Sequence, residues 1–346
     1  MKNEVYTASA NANIAFVKYW GKKSDNIPFN SSVSMTLGNN VSTITSVVFS
    51  DKLQHDQLFI NGVPVDASKG GEKAGLLFDV LSQMRKLAGV KEHALIVSKN
   101  SFPASTGLAS SASGAAAFAY AVNSALGLGL SSRSLSIIAR KISGSGCRSV
   151  FGGFVLWHAG NRSEESYAEQ IKNENHWPQL IDAIAIVTEA KKKVSSSEGH
   201  IQTIKTSKLY KHRIPFAEEN ASRAVELIHN KDLHNLSELI MRDSNNMHAT
   251  MLDSWPPIHY ITDSSWRIID TIHEINDAEG KNIAAYTLDA GPNVHIITEK
   301  RYSKKVLNEV GNAVGDIKFI ISRAGGSPRL LPDNMALIDE KLNIIK

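Results

Sequence analysis

Between Lys99 and Arg133 the chain carries no charged residue. A stretch of that length without charge belongs inside something, either lipid or protein. Pro103, several serines, Asn123 and four glycines interrupt it. A lipid-facing helix would be richer in Leu, Ile and Val. The segment therefore predicts a loop over Pro103–Ser111 that opens a buried, Ala-rich helix. That helix runs to about Leu126, and Gly127 and Gly129 end it.

The flanking patterns set the fold class. Residues 41–50 are β-branched and partly alternating, a strand pattern. Gln57–Val63 reads as another strand, turning at Asn61-Gly62. Lys73–Leu87 has helical spacing, with Leu76, Leu77, Val80, Leu81 and Met84 on one face. His93–Ser98 is a short apolar strand, Ser131–Ile142 a helix, and Phe151–His158 a strand after the Gly144/Gly146 turn. Asn161–Trp177 is polar and reads as a connection. A strand at Ile181–Val187 opens the second half. Helices follow at 216–230, 232–247 and 263–276, then strands at 283–289 and 293–298. A helix at 303–314 and strands near 317–321 and 336–344 complete the chain. Strands and helices mix without strict βαβ alternation, which predicts α+β. The 346 residues suffice for two domains, divided as 1–175 and 176–346.

Composition excludes several classes. Hydrophobic residues are 42% and charged residues 21%, which argues against disorder. A net charge of +4 suits an anionic substrate but is too small and scattered for nucleic acid. Lys191-Lys192-Lys193, the densest basic run, reads as a solvated face. The single cysteine, Cys147, rules out an intrachain disulfide, suits a reducing cytoplasm, and reads as a small buried residue. Lys2 and Glu4, with no continuous apolar run behind them, do not read as a signal peptide. Nor does any His/Cys/carboxylate spacing suggest zinc.

Three clusters have anion-binding chemistry. Within 103–114, small residues let backbone approach an anion, the following helix aims free N–H groups into the loop, and Ser110, Ser111 and Ser113 add hydroxyls. No lysine follows the glycines, so this is not a P-loop. The residues alone leave two readings open: an anion cradle, or a small-residue helix start required by packing. Ser143–Ser149 adds hydroxyls and the guanidinium of Arg148, which can grip a carboxylate or phosphate with two parallel bonds. Lys192–Gly199 is the third. Together they suit a substrate with several anionic groups.

At this level the chain is recognisable. Pro103–Gly114 resembles the phosphate loop of the GHMP small-molecule kinase superfamily. Asn13-Ile-Ala15, Lys18-Tyr19-Trp20-Gly21-Lys22, Asn30-Ser31-Ser32, Ser143–Gly153, Val194–Gly199, Asp243-Ser-Asn with His248, and Tyr286-Thr-Leu-Asp289-Ala-Gly-Pro-Asn293 together resemble the diphosphomevalonate decarboxylase family. The match runs from Ala8 to about Pro328. It implies a ribosomal-protein-S5 domain-2-like N-terminal domain and a ferredoxin-like C-terminal domain carrying Asp289, with the site in the cleft between them. It also implies ATP and Mg²⁺, a homodimer, a cytoplasmic enzyme of isoprenoid biosynthesis, and no nucleic-acid or membrane partner.

The resemblance implies roles too. Asp289 helps the C3 hydroxyl of a phosphorylated mevalonate lose its proton, Lys18 lies near it, and Arg148 places the substrate carboxylate. By position alone, Asp289 reads as a turn aspartate and Lys18 as a surface lysine. Tyr19, Lys22, Ser143, Ser145 and Lys192 hold the remote phosphates. Gly107, Ala109, Ser110 and Ser111 form the nucleotide loop, with Ser111 associated with Mg²⁺. His248, Trp20 and Trp255 read as packing residues.

The chain departs from the family pattern at Lys99-Asn100-Ser101, Ala104-Ser105-Thr106, His200 (usually Met) and Gly325–Arg329. Drift near the nucleotide loop keeps an alternative open: an ATP-independent mevalonate 3,5-bisphosphate decarboxylase, or an ATP-dependent 5-phosphomevalonate decarboxylase. A non-catalytic regulatory protein is a further alternative, against which the retained Asp289, Lys18 and Arg148 argue.

Overall fold

The computed structural model describes residues 4–66, 71–102, 110–187 and 194–345. Its first half contains β1 (Tyr6–Asn11), β2 (Asn13–Ala15), β3 (Ser32–Thr36), β4 (Ser42–Ser50), β5 (Gln57–Ile60), β6 (Val63–Pro64), α1 (Gly71–Ala88), β7 (His93–Asn100), α2 (Ser110–Ala125), α3 (Ser132–Ile142), β8 (Phe154–Trp157) and β9 (Ala168–Lys172). The second half contains β10 (Leu180–Ile186), α4 (Ser196–Thr206), α5 (Tyr210–Asn230), α6 (Leu233–Leu252), α7 (Asp263–Glu279), β11 (Ala284–Thr287), β12 (Val294–Glu299), α8 (Lys300–Val314), β13 (Lys318–Arg323) and β14 (Arg329–Leu330).

Three sheets result, with orders β14-β1-β4-β7-β5-β6, β2-β3-β8-β9 and β11-β12-β10-β13. The last is antiparallel throughout. Counting its strands along the chain, its order is 2-3-1-4, the ferredoxin-like arrangement that the resemblance implies. The chain then returns to the first sheet, where β14 pairs with β1 at Ala8↔Leu330.

The uncharged helix forms as expected. Along α2, Ala112, Ala115–Ala117, Phe118, Ala119, Ala121 and Val122 are buried, packed over β1 and β4. Alanine lets the helix sit close to the sheet, and Ser113 satisfies its hydroxyl on Thr43 at 2.7 Å. Among the described residues no helix is long and apolar enough to cross a membrane. The Asn61-Gly62 turn joins β5 to β6, with φ of 50° and 78°, as a two-residue hairpin demands. One apolar cluster runs from Ile14, Val33 and Met35 through Ala183 and Ile184 to Ile296, joining residues of both halves.

Three expectations are corrected. The polar connection 161–177 contains β9, which pairs antiparallel with β8. It closes one edge of that sheet, and a short polar edge strand has no apolar run to announce it. The segment 336–344 is not a strand: Ala336, Leu337 and Ile338 are buried, but only an isolated bridge, Ile338↔Ile344, forms. The strand at this end is β14. In the third polar cluster, Ser196–Gly199 form the first turn of α4. Trp255 is not core but 75% exposed. Its backbone N–H is tied to Thr206 Oγ1 in the turn after α6, which leaves the indole outside.

Candidate active site

Lys18 follows β2 and faces the second half of the chain. Its Nζ lies 2.9 Å from Asp289 Oδ1, with the lysine side chain 1% and the aspartate 44% exposed. Asp289 sits just beyond β11, where the strand gives way to the Gly291-Pro292 turn. The Leu288 N–H, donating to Ser244 Oγ, anchors that strand end on α6.

A buried pair holds the lysine backbone in place. The Lys18 N–H donates to Asp243 Oδ1 at 2.7 Å. Arg213 Nη2 donates to the same oxygen and to the Lys18 carbonyl, each at 3.0 Å. Asn30 Nδ2 also reaches that carbonyl. Arg213 and Asp243 are fully buried, so Lys18 is mounted on charges from α5 and α6.

The electrostatics follow from this packing. Burial pushes the Asp289 carboxyl up, but Lys18, His295 and Arg148 outweigh it and hold it well below the usual carboxylate range. Burial also lowers the Lys18 pKa, against the raising effects of Asp289 and Asp243. Arg148, likewise lowered by burial, is 3% exposed. Its Nε donates to Asn13 Oδ1 and its Nη1 to Ser32 Oγ, both at 3.0 Å. Those bonds orient the fork and leave Nη2 without a bond among the described residues.

These groups meet in one cavity. It is lined by Arg148 and Asp289 together with Tyr19, Lys22, Ser110, Ser111, Ser143 and Ser145. Ser110 and Ser111 open α2, so its first free N–H groups and positive dipole end are at this cavity. Ser143 Oγ donates to Ser111 Oγ at 3.3 Å, linking the first two anion clusters. Gly144 is required beside them, because a Cβ there would lie 2.6 Å from the Tyr19 hydroxyl. Lys22 Nζ bonds Asn26 Oδ1 at 2.9 Å and Glu72 Oε1 at 3.0 Å. Gly107, Ala109 and Lys192 lie outside the described residues.

Other residues on the cavity wall were not singled out individually from the sequence. Ser196 and Ser197 bring the N-terminus of α4 to it, and Glu72 and Lys73 bring the start of α1. The α4 start had a readable signal, Ser195-x-x-Glu198, which forms a reciprocal capping box. Arg213 had none, being an arginine on a helix until the fold buries it. Cys147 is buried as expected, its thiol donating to the Gly144 carbonyl and pushed up to about 12 by burial. His248 is buried too, and burial, with Lys18 adding to it, lowers its imidazole to about 4.

The family departures fall in different places. Asn100 and Ser101 bond Thr43 and Ser42 at a strand end. Gly325 exchanges backbone bonds with Thr36 and Gly153, and Ser327 Oγ accepts from the Gly152 N–H. Neither segment lines the cavity. Ala104–Thr106 lies outside the described residues. His200 does line it.

Two family models match this arrangement. The diphosphomevalonate decarboxylase-like N-terminal domain covers residues 10–168, and the mevalonate 5-diphosphate decarboxylase C-terminal domain covers residues 183–330. This chain belongs to the diphosphomevalonate decarboxylase family. The diphosphomevalonate decarboxylase of Saccharomyces cerevisiae is 42% identical over 296 residues, 81% of this chain and 74% of the relative. That of Debaryomyces hansenii is 42% identical over 324 residues, 88% of this chain and 83% of the relative. The solved mevalonate diphosphate decarboxylase of Staphylococcus aureus superposes with a TM-score of 0.87 at 34% identity, over 95% of this chain and 98% of that one. A structure described as a complex with MVAPP, AMPPCP and magnesium superposes with a TM-score of 0.86 at 34% identity, over 94% and 98%. The expected GHMP-kinase α+β fold is therefore the fold of this chain.

Proposed function

We propose that this enzyme performs the ATP-dependent decarboxylation of mevalonate 5-diphosphate, giving isopentenyl diphosphate, CO2, ADP and phosphate. The observation that carries the reading is the Lys18–Asp289 pair at 2.9 Å, whose carboxylate shares one cavity with Arg148 and the N-terminus of α2 while the buried lysine backs it. The relatives' names and the complex with MVAPP, AMPPCP and magnesium support the same substrates.

The residues divide the work. Asp289, ionised by its surroundings, accepts the proton of the C3 hydroxyl at a carboxylate oxygen. Lys18 orients that carboxylate and faces the oxygen as it gains a phosphoryl group. Bound ATP with Mg²⁺ supplies that group and neutralises charge on its oxygens. Ser110, Ser111 and the α2 N-terminus hold the phosphate chain, since such transfer rests on positioning and electrostatics. Mg²⁺ needs few protein ligands when phosphates supply most of its shell, so a lone Ser111 hydroxyl beside that N-terminus fits its presence. Arg148 Nη2 grips the substrate carboxylate in line with the breaking C–C bond. Tyr19, Lys22, Ser143, Ser145 and Lys192 hold the 5-diphosphate and fix the reacting end.

The proposal extends to a cytoplasmic homodimer whose halves, 1–175 and 176–346, flank the substrate cleft. It favours ATP use over the 3,5-bisphosphate route because the relatives are diphosphomevalonate decarboxylases. The test is a product balance. Mevalonate 5-diphosphate with MgATP yields CO2, ADP and phosphate in equal amounts; CO2 from the 3,5-bisphosphate without ATP would overturn it.

A further inference from the structure

His200 lies on α4 and is 6% exposed, yet its ring is on the wall of the cavity. The ring packs against Tyr19 and Trp20, at centroid separations of 4.8 Å and 4.3 Å and with the planes tilted. Its Nδ1 accepts the Gly21 N–H at 2.9 Å. Gly21 has a φ of 87°, the left-handed backbone that turns this N–H toward the ring.

That bond decides the tautomer. A nitrogen that accepts carries no proton, so the proton of the neutral ring is on Nε2. Burial, with Lys22 and Lys73 adding to it, lowers the imidazole to about 3, so the ring stays neutral at working pH. Among the described residues Nε2–H has no hydrogen-bond partner. With Nδ1 engaged and the ring against Tyr19 and Trp20, Nε2 is the remaining polar atom this residue offers on the cavity wall. His200 Nε2 is not among the fully buried unpartnered atoms, so it is open to the cavity, where a ligand oxygen can take the place of water. The nearby cations Lys22 and Lys73, with Ser196 and Ser197 one turn earlier on α4, mark this as an anion-binding end of the cavity.

We propose that the Nε2–H of His200 donates a hydrogen bond to a phosphate oxygen of the substrate, as a fixed, uncharged binding residue beside the lysines. This rests on the reading of the cavity as a phosphorylated-mevalonate site and adds a residue to it. A neutral donor contributes direction where lysine contributes charge, so it favours a tetrahedral oxyanion held at one orientation. Glutamine carries the same acceptor-and-donor pair. Phenylalanine keeps the ring contacts and removes both.

The test uses the full-length enzyme. His200→Phe is expected to raise KM for mevalonate 5-diphosphate about tenfold while kcat stays within about twofold; His200→Gln is expected to restore most of the difference. In the wild type, the Nε2–H NMR resonance of His200 is expected to shift on titration with mevalonate 5-diphosphate or inorganic pyrophosphate. An unchanged KM in a folded His200→Phe enzyme, or no shift at saturating ligand, would overturn the proposal. Failure of the wild type to turn over mevalonate 5-diphosphate would count against the catalytic reading alone. The pyrophosphate titration would still decide for or against His200.

Discussion

Lys18 Nζ lies 2.9 Å from Asp289 Oδ1, across 271 residues of chain. The lysine is buried and the carboxylate faces the cavity, so one partner is fixed and the other meets the substrate. Replacing the carboxylate with an amide keeps its size and removes its basicity. Asp289→Asn is expected to reduce kcat about a thousandfold, with circular dichroism and thermal midpoint near those of the parent. Near-parental turnover in that variant would sink the assigned role.

The same pair sets a pH dependence. The Asp289 pKa is depressed below its ordinary 3.8, with Lys18 opposing the effect of burial. A depressed carboxylate is ionised above its folded pKa, and the stability it contributes is full above its ordinary value and lost progressively as pH falls from there through the folded one. The acid limb of kcat/KM should therefore lie below the ordinary carboxylate range. In Lys18→Met, burial acts unopposed by the ammonium and the limb of any residual activity moves upward. A limb that stays in place would show that Asp289 is not the titrating base.

Arg213 and Asp243 form the mount beneath Lys18, and both are fully buried. Asp243→Asn leaves the guanidinium without its counter-charge and is expected to destabilise the fold by about 3 kcal/mol or more. The readout is the urea midpoint. Arg213→Leu combined with Asp243→Leu should be less damaging than the sum of the two single changes, because neither charge is then stranded. Strict additivity would mean that the two side chains do not act as a pair.

Arg148 is held by Asn13 and Ser32, so its plane is set before the substrate arrives. Lysine cannot keep the bonds to Asn13 and Ser32 and still present a third donor to the carboxylate from a fixed plane. Arg148→Lys is expected to lower kcat/KM by about ten- to a hundredfold, measured as CO2 release under steady-state conditions. A variant with unchanged kcat/KM would remove Arg148 from carboxylate placement.

Ser195 caps α4, which carries Ser196, Ser197 and His200 to the cavity. Ser195→Ala removes the cap at a cost of about 1 kcal/mol. Hydrogen exchange should quicken at the first turn of α4, with KM rising more than kcat falls. Unchanged protection there would place the helix start under the control of other contacts.

The sequence was sufficient for much of the scaffold. Period and punctuation place α1, α2 and α3 nearly residue for residue, and the Asn61-Gly62 hairpin turns where its backbone chemistry requires. It failed where an element has little apolar signature of its own. β9 is an edge strand made by pairing with β8, and β14 is two residues long and exists because the chain returns to β1. Short strands depend on partners far away in sequence, which local periodicity does not encode.

The site divides the same way. By themselves the residues marked three clusters with chemistry suited to anions, an uncharged helix that had to be buried, and a fold built from both strands and helices. The motif resemblance attached Asp289, Lys18 and Arg148 to a reaction. Only the tertiary structure decided that the described residues of the clusters share one cavity, that Asp243 and Arg213 hold Lys18, and that His200 lines that cavity. A lysine in a sequence reads as a surface charge, and a histidine as a titrating group. Burial and a neighbour at hydrogen-bond distance turn the first into a fixed partner for Asp289, and the second into a neutral donor held by Gly21.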